Sequence, residues 1–566
     1  MKQLLQNMRD GKTTVADVPR PIPTRGTVLV RTQASLVSAG TERTLVSFAE
    51  KNLVGKARSR PDLVRQVLDK ARREGLWGTF QAAMNRLDAP MPLGYSSAGV
   101  VVAVGEGMEG FKVGDRVACA GGGHAVHAEY EVVPRNLLAL LPPQVDFESA
   151  AFTTLGAIAL HGFRLAQPQI GERVAVIGLG LLGLISVGIA RAAGCSVFGV
   201  DIAPARVKLA EQMGANAVTR EQAESSAAAF TQGQGFDIVL ICADTPSNDP
   251  LALAGAISRD RGRVIAVGAV GLNIPRKVYY EKEIFFQVSR SYGPGRYDPD
   301  YEERGKDYPI GFVRWTEGRN LEAIVDLLAA GKLDVRPLIS HRFPIEQAPA
   351  AYDLITGKTK EPFLGVLLTY PPAEADAPLA GTRVANAQVT PVSGALSVGV
   401  LGAGNYATAV FLPVMKAVGK AQRTAIASAS GLTARHASQR FGFAYASSSE
   451  QEVLEDPQVN TVVLLTRHNQ HARQALAALA LGKHVFCEKP LAITPAELDE
   501  IEAALQENIH GPLLMVGFNR RFAPLAVQMK DFLAGRSEPL AAHFRVNAGY
   551  IPLNHWVHDP HIGGGR

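Results

Sequence analysis

Val174 to Gly183 reads V-A-V-I-G-L-G-L-L-G, and the fold is decided here. A β-branched apolar run passes into three glycines at GxGxxG spacing, and apolar residues continue to Ala190. That pattern predicts a buried strand, a glycine turn and a helix. Gly178 permits the tight turn, Gly180 lets the backbone approach a pyrophosphate, and Gly183 lets helix pack on strand. The helix N-terminus offers its N–H groups and positive dipole end to the phosphates. The following strand, CSVFGVD, ends at Asp201. A carboxylate there can accept hydrogen bonds from both ribose hydroxyls and repels a 2′-phosphate, so NAD is expected at this first site.

Working outward, apolar strands alternate with helical stretches from about residue 170 to 340: RVAVIGLG, CSVFGVD, DIVLICAD, RVIAVGAV. Such alternation implies a parallel sheet covered on both faces. Upstream, short β-branched runs at 27–32, 99–105, 115–120 and 129–134 are punctuated by glycine and proline and predict a mostly β domain. A charged, helix-patterned insert occupies 47–88. Residues 371–395 are rich in Ala, Pro, Thr and small polar residues and read as a linker.

Beyond the linker the alternation restarts. Val398 to Ala407 reads V-G-V-L-G-A-G-N-Y-A, so Gly402, Gly404 and Ala407 fill a GxGxxA fingerprint. The next strand, RTAIASAS, ends at Ser430 without an acid, and Arg435 follows. Serine and arginine would accept a 2′-phosphate, so this second site is expected to take NADP or NAD, with a solvated helix residue as the alternative reading of Arg435.

The 566 residues suggest three to four domains. With 47% hydrophobic and 20% charged residues the composition excludes a disordered or collagen-like chain. A net charge of +5 over this length is too thin to predict binding to nucleic acid or a membrane surface. Cys119, Cys195, Cys242 and Cys487 lie far apart, which argues against a disulfide framework and fits a reducing cytoplasm. Neither a signal peptide nor a membrane segment is read from the sequence.

VLVRTQASLVSAGTE, PLGYSSAGVVVAVG, FKVGDRVA and HAEYEVVP resemble the GroES-like domain of medium-chain, zinc-type alcohol dehydrogenases, and with the Rossmann segment the resemblance spans about residues 1–370. The resemblance places zinc ligands where this chain has Ala39, Tyr95 and Leu155, none of which suits a catalytic zinc. A zinc-free module is therefore expected. Thr41 sits where the resemblance puts a hydroxyl proton relay and Tyr95 near the metal position, so both are candidate catalytic residues, with a structural polar role as the alternative. Ser289 to Arg314 is dense in Tyr, Arg and Gly, suiting a substrate lip, a subunit contact or a solvated loop. His124 and His127 read as strand-edge histidines.

TRHNQHARQALAALALGKHVFCEKPLAITPAELDEI resembles the Gfo/Idh/MocA oxidoreductases, over about 396–566. Glu488-Lys489-Pro490 is the core of the likeness. Thr466, Asn469 and His471 match the family's stretch above the nicotinamide, and Arg520 a further recurring arginine assigned to substrate. The resemblance implies that Lys489 lies beside the nicotinamide and the reacting carbinol, where a lysine can donate to the substrate oxygen. Glu488 is expected at the cofactor. The family pattern continues past the glycine run at Gly563 with an Asp and a His, so a truncated C-terminal domain is expected. His555, His558, Asp559 and His561 read as a substrate-facing or solvated loop rather than a metal site.

The expected organisation is α/β: a GroES-like β domain at 1–165, a Rossmann domain at 166–340, a return segment at 341–370, the linker, a second Rossmann domain at 396–520, and the start of an incomplete α+β domain at 521–566. The expected activity is NAD(P)-dependent hydride transfer on a sugar, sugar nucleotide or cyclitol in carbohydrate or polysaccharide metabolism, by a cytoplasmic homo-oligomer with no nucleic-acid or membrane partner. Two alternatives stand beside it. One is a dinucleotide-binding scaffold or sensor with silent modules. The other is a zinc-free enone or quinone reductase working through the first module alone.

Overall fold

The computed structural model describes residues 1–52, 55, 56, 58, 87–372, 378–389, 396–545, 550–553 and 555–565. Most of the expected helical insert and about half of the linker lie outside the described residues. The chain divides into two compact units: Met1–Asp17, Pro23–Arg73 and Pro90–Leu379 form the first, and Val18–Ile22, Glu74–Ala89 and Ala380–Arg566 the second.

The first unit contains a parallel sheet of β1 (Arg173–Ile177), β2 (Ser196–Asp201), β3 (Asn216–Thr219), β4 (Phe236–Ile241), β5 (Ser258–Ala266) and β6 (Phe285–Val288). Their order is β3-β2-β1-β4-β5-β6. The direction of winding reverses between β1 and β4, which opens a crevice beyond the carboxyl ends of these strands. Val174, Ala175 and Val176 of β1 are wholly buried, as a strand covered on both faces requires.

A second sheet of the same unit runs Ile339–Pro344, Gly365–Thr369, Thr27–Val37, Ser96–Val104, Arg116–Ala120, Leu138–Leu140, with Tyr130–Pro134 also paired to Thr27–Val37. Helix α1 (Ala39–Glu50) follows Thr27–Val37 directly, so the helical stretch begins upstream of the expected residue 47. Helices α2 (Thr153–Leu165), α3 (Leu181–Ala192) and α4 (Glu317–Ala329) complete the elements that matter here. One hydrophobic core runs from Val28 and Val30 through Phe152 and Leu155 to Val174 and Val176, so the two sheets are packed as one body.

A carboxyl group sits inside this β domain. Glu131 is buried and accepts a hydrogen bond from Ser97 Oγ at 2.6 Å. Burial pushes its pKa up to about 8. The folded state then keeps a proton that the unfolded chain sheds near pH 4.5, so stability is full below that pH and falls as pH rises toward 8. Glu131→Gln is expected to remove this slope and to stabilise the first unit at pH 8 by about 4 kcal/mol relative to its effect at pH 4. Urea midpoints at the two pH values check it; equal effects at both would show an ionised Glu131.

The second unit repeats the parallel sheet with β7 (Ser397–Leu401), β8 (Gln422–Ala427), β9 (Tyr445–Ser447), β10 (Thr461–Leu464), β11 (His484–Glu488) and β12 (Leu514–Gly517), in the order β9-β8-β7-β10-β11-β12. Arg383–Ala385 adds an antiparallel edge beside β9. The N-terminal stretch Val18–Ile22 belongs to this unit, where Arg20 donates to the carbonyls of Ala380 and Gly381. Helix α5 (Leu412–Val418) follows β7, α6 (His468–Ala480) follows β10, and α7 (Pro495–Glu507) opens on a capping box between Thr494 and Glu497. No strand forms over 541–545, and 546–549 lie outside the described residues. Among the described residues no helix is long and apolar enough to cross a membrane.

Candidate functional site

The three glycines after β1 have three different surroundings. Gly178 has φ +92°, and a Cβ there would meet Ala243 N at 2.6 Å. A Cβ on Gly183 would meet the carbonyl of Gly178 at 1.9 Å, so helix and turn pack too closely for any side chain. Gly180, between them, faces open space. It caps α3, so space for a ligand lies against a helix N-terminus.

Asp201 ends β2 as expected. It is buried, accepts a 2.6 Å hydrogen bond from Leu179 N in the glycine turn, and accepts another at 2.8 Å from Ala203 N. Its carboxylate thus braces the turn. Across the crevice mouth, Arg43 of α1 reaches Asp244, just past β4, at 3.3 Å.

Thr41 and Tyr95 fall together. Tyr95 donates to Ser38 Oγ at 2.7 Å, and burial pushes its pKa up to about 12, with Ser38 and Thr41 as hydrogen-bonding neighbours that oppose the rise. Behind them lies a polar network that the sequence did not announce. Glu42 is 1% exposed and accepts from Ser38 N at 2.9 Å and from the Tyr352 hydroxyl. His127 is fully buried, with Nε2 3.3 Å from Glu42 and Nδ1 2.7 Å from Ser35 Oγ. It is a core histidine, not a strand-edge one. Room for it comes from Gly94, where a Cβ would lie 2.9 Å from the imidazole.

The second crevice repeats the first glycine arrangement. Gly402 has φ +104° and a Cβ there would meet the Leu465 carbonyl at 2.5 Å, while Gly404 faces open space. Ala407 is buried and begins a π-helical turn to Phe411. Tyr406, between Gly404 and Ala407, donates to Glu488 Oε1 at 2.8 Å, which ties the glycine turn to the end of β11. Ser430 is exposed after β8, and Arg435 donates to the Ala385 carbonyl at 2.9 Å, so that guanidinium is engaged with the edge strand.

Lys489 is exposed beyond β11, and its amide lies 3.3 Å from Glu488 Oε2. His471, 1% exposed, spans two loops: Nδ1 lies 2.7 Å from the Pro490 carbonyl and Nε2 3.2 Å from the Thr466 carbonyl. Thr466 Oγ1 donates to Gln474 at 2.6 Å. His468, which the sequence did not single out, has its pKa lowered by burial, with His471 and Lys489 adding to the effect. The last described segment closes on it. Trp556 meets its ring edge-on at 4.9 Å, Gly563 O lies 3.0 Å from its Nδ1, and Asn469 N donates to Ile562 O at 3.1 Å. Arg520 stands in an exposed 3-10 turn, Asn519–Phe522, after β12. Among the described residues His555, His558, Asp559 and His561 form no metal-ligating group.

Three family models match this chain. Residues 69–143 match the alcohol dehydrogenase GroES-like domain, 182–303 the zinc-binding dehydrogenase, and 396–518 the Gfo/Idh/MocA oxidoreductase family with its NAD-binding Rossmann fold. The chain joins a medium-chain dehydrogenase module to a Gfo/Idh/MocA module. It is an NAD(P)-binding oxidoreductase. An uncharacterised zinc-type alcohol dehydrogenase-like protein of Escherichia coli is 29% identical over 52% of this chain and 89% of its own length. Sorbitol dehydrogenase 1 of Saccharomyces cerevisiae is 28% identical over 47% of this chain and 78% of its own. The crystal structure of galactitol-1-phosphate dehydrogenase from Escherichia coli superposes at a TM-score of 0.49 with 22% identity, covering 65% of this chain and all of that one.

These matches correct the expectation of a zinc-free module. The model over 182–303 is that of a zinc-binding dehydrogenase, and the Escherichia coli relative is of the zinc type. Ala39, Tyr95 and Leu155 stand at the positions that the resemblance assigns to zinc ligands. Among the described residues no three His, Cys, Asp or Glu side chains gather as a metal site, so its donor set is not found there.

Proposed function

We propose that this protein is an NAD(P)-dependent oxidoreductase acting on a carbinol of a sugar, sugar nucleotide or cyclitol in carbohydrate metabolism. The carbinol C–H bond breaks and its hydride moves to C4 of the nicotinamide, the hydroxyl proton passes to a protein base, and a carbonyl remains. The observation that carries this reading is the paired glycine geometry. In each module one glycine is walled in by backbone and the next faces open space beside the start of a helix. The polyol dehydrogenases among the relatives support a carbohydrate substrate.

Lys489 is the proposed proton carrier of the second module, and Thr41 and Tyr95 the polar groups nearest the reacting carbon in the first. Titrating the full chain with NADH and with NADPH should give two dinucleotide sites per chain. A panel of D-sorbitol, xylitol, myo-inositol and a UDP-hexose, followed by absorbance of the reduced cofactor, should then show turnover with at least one. Dinucleotide uptake without turnover of any carbinol would overturn the activity.

A further inference from the structure

Four residues between 289 and 317 carry five buried polar atoms with no hydrogen-bond partner: Ser289 Oγ, Tyr292 Oη, Arg296 Nε and both carboxyl oxygens of Glu317. Each such atom costs about 1–3 kcal/mol when left unpaired. All five are unpartnered among the described residues. Glu317 is 0% exposed and Tyr292 2%. The Arg296 guanidinium stands 5.4 Å from the centre of the Tyr292 ring. The charges of Glu317 and Arg296 both act on the Tyr292 hydroxyl.

The backbone that presents these groups is held in unusual conformations. Ser291 and Tyr297 have φ of +54° and +66°, and Gly293 and Gly295 lie between them at +126° and +109°. A Cβ on Gly293 would come within 2.7 Å of Asn320 Nδ2. Strained non-glycine residues persist where surrounding structure fixes them, and they gather at ligand sites. The position fits as well. Ser289 directly follows β6, so the segment leaves the Rossmann sheet on the side of the strands' carboxyl ends. Tyr95 lies within electrostatic reach of Tyr292.

We propose that Tyr292, Arg296 and Glu317 form the hydroxyl-recognition site of the first module and take two adjacent hydroxyls of an uncharged polyol or sugar. The proposal rests on the reading of that module as an oxidoreductase of carbinols and names its substrate class. Arg296 is already ion-paired with Glu302, so its own charge is balanced. Glu317 has its pKa pushed up to about 9, by burial first and then by the charge of Glu302. It is a neutral acid at pH 7, with one donor and one acceptor. Beside a phenol and a guanidinium N–H it matches a vicinal diol, in which each oxygen both donates and accepts.

The test uses the full chain with Gly404→Asp, so that the second crevice does not contribute, in the presence of saturating NADH. The probes are D-sorbitol, xylitol, D-fructose and D-sorbitol 6-phosphate, with dissociation constants from calorimetry. At least one uncharged probe should bind, and Tyr292→Phe and Glu317→Leu should each weaken it at least tenfold while NADH affinity moves less than twofold. Glu317→Gln keeps a neutral donor and acceptor and should bind the same probe within threefold, which separates a lost contact from a damaged fold. No uncharged probe bound, binding unmoved by Tyr292→Phe, or a preference for the phosphate would overturn the site. Failure of the first module to bind NADH would instead overturn the oxidoreductase reading on which it rests.

Discussion

An aspartate at Gly180 is expected to abolish dinucleotide binding in the first crevice, and one at Gly404 to abolish it in the second, each leaving the other site intact. Neither glycine is held at positive φ, and a Cβ at either meets nothing within 4 Å, so the folded backbone accepts the change. The new carboxylate enters the space that the glycine leaves for a diphosphate. Two like charges about 4 Å apart repel by about 4 kcal/mol at an effective dielectric of 20, close to a thousandfold in affinity. The aspartate also takes up the helix N-terminal N–H groups that the phosphates would use. Stoichiometry should drop from two NADH per chain to one in each variant and to none in the double variant. Gly183→Asp is the contrasting case: its Cβ would collide with the Gly178 carbonyl, so loss of the folded first unit is expected. Two NADH per chain in both Gly180→Asp and Gly404→Asp would remove the assignment of these crevices.

How far these features could be read from sequence depends on how local their causes are. The tasks of Gly178, Gly180 and Gly183 are local, because a turn, a close approach and a helix contact follow from spacing along a few residues. The structure assigns the three surroundings in that order. The strand end at Asp201 was legible for the same reason. The Glu42–His127 pair was not. Its members come from a helix and a loop far apart in the chain, and the space for His127 is made by Gly94 on another segment. The one trace in the sequence is Gly94 itself, whose φ of +95° no spacing rule reveals. The link from Tyr406 to Glu488 and the pairing of Arg20 with Ala380 and Gly381 are likewise tertiary. The bond from Arg435 to the Ala385 carbonyl is tertiary too, since a guanidinium on the first turns of a helix finds a carbonyl on the neighbouring edge strand. The zinc expectation failed differently, since three unsuitable positions say nothing of what the family brings with it.

Lys489→Met is expected to lower kcat at the second site by about two to four powers of ten, the usual worth of a positioned acid or base. The geometry around the lysine supports that role. Its backbone is pinned on both sides, by Glu488 through Tyr406 and by the Pro490 carbonyl through His471. The lysine side chain therefore leaves from a loop fixed to the glycine turn on one side and to the start of α6 on the other. His468 stands within electrostatic reach, and burial first holds its pKa down, with His471 and Lys489 adding to the effect. Trp556 screens that imidazole from water on one edge. A methionine preserves the length of the side chain and removes only the charge and the donor. Dinucleotide affinity should stay within twofold, because the glycine turn, Glu488 and His471 are untouched. Measured in the Gly180→Asp background with the panel substrate that turns over best, kcat within threefold of the parent would remove Lys489 from the reaction. A raised KM at unchanged kcat would make it a binding group only. Restoration of kcat by an added primary amine in a Lys489→Ala variant would confirm the missing proton carrier, since a small amine can occupy the truncated space and supply the same N–H.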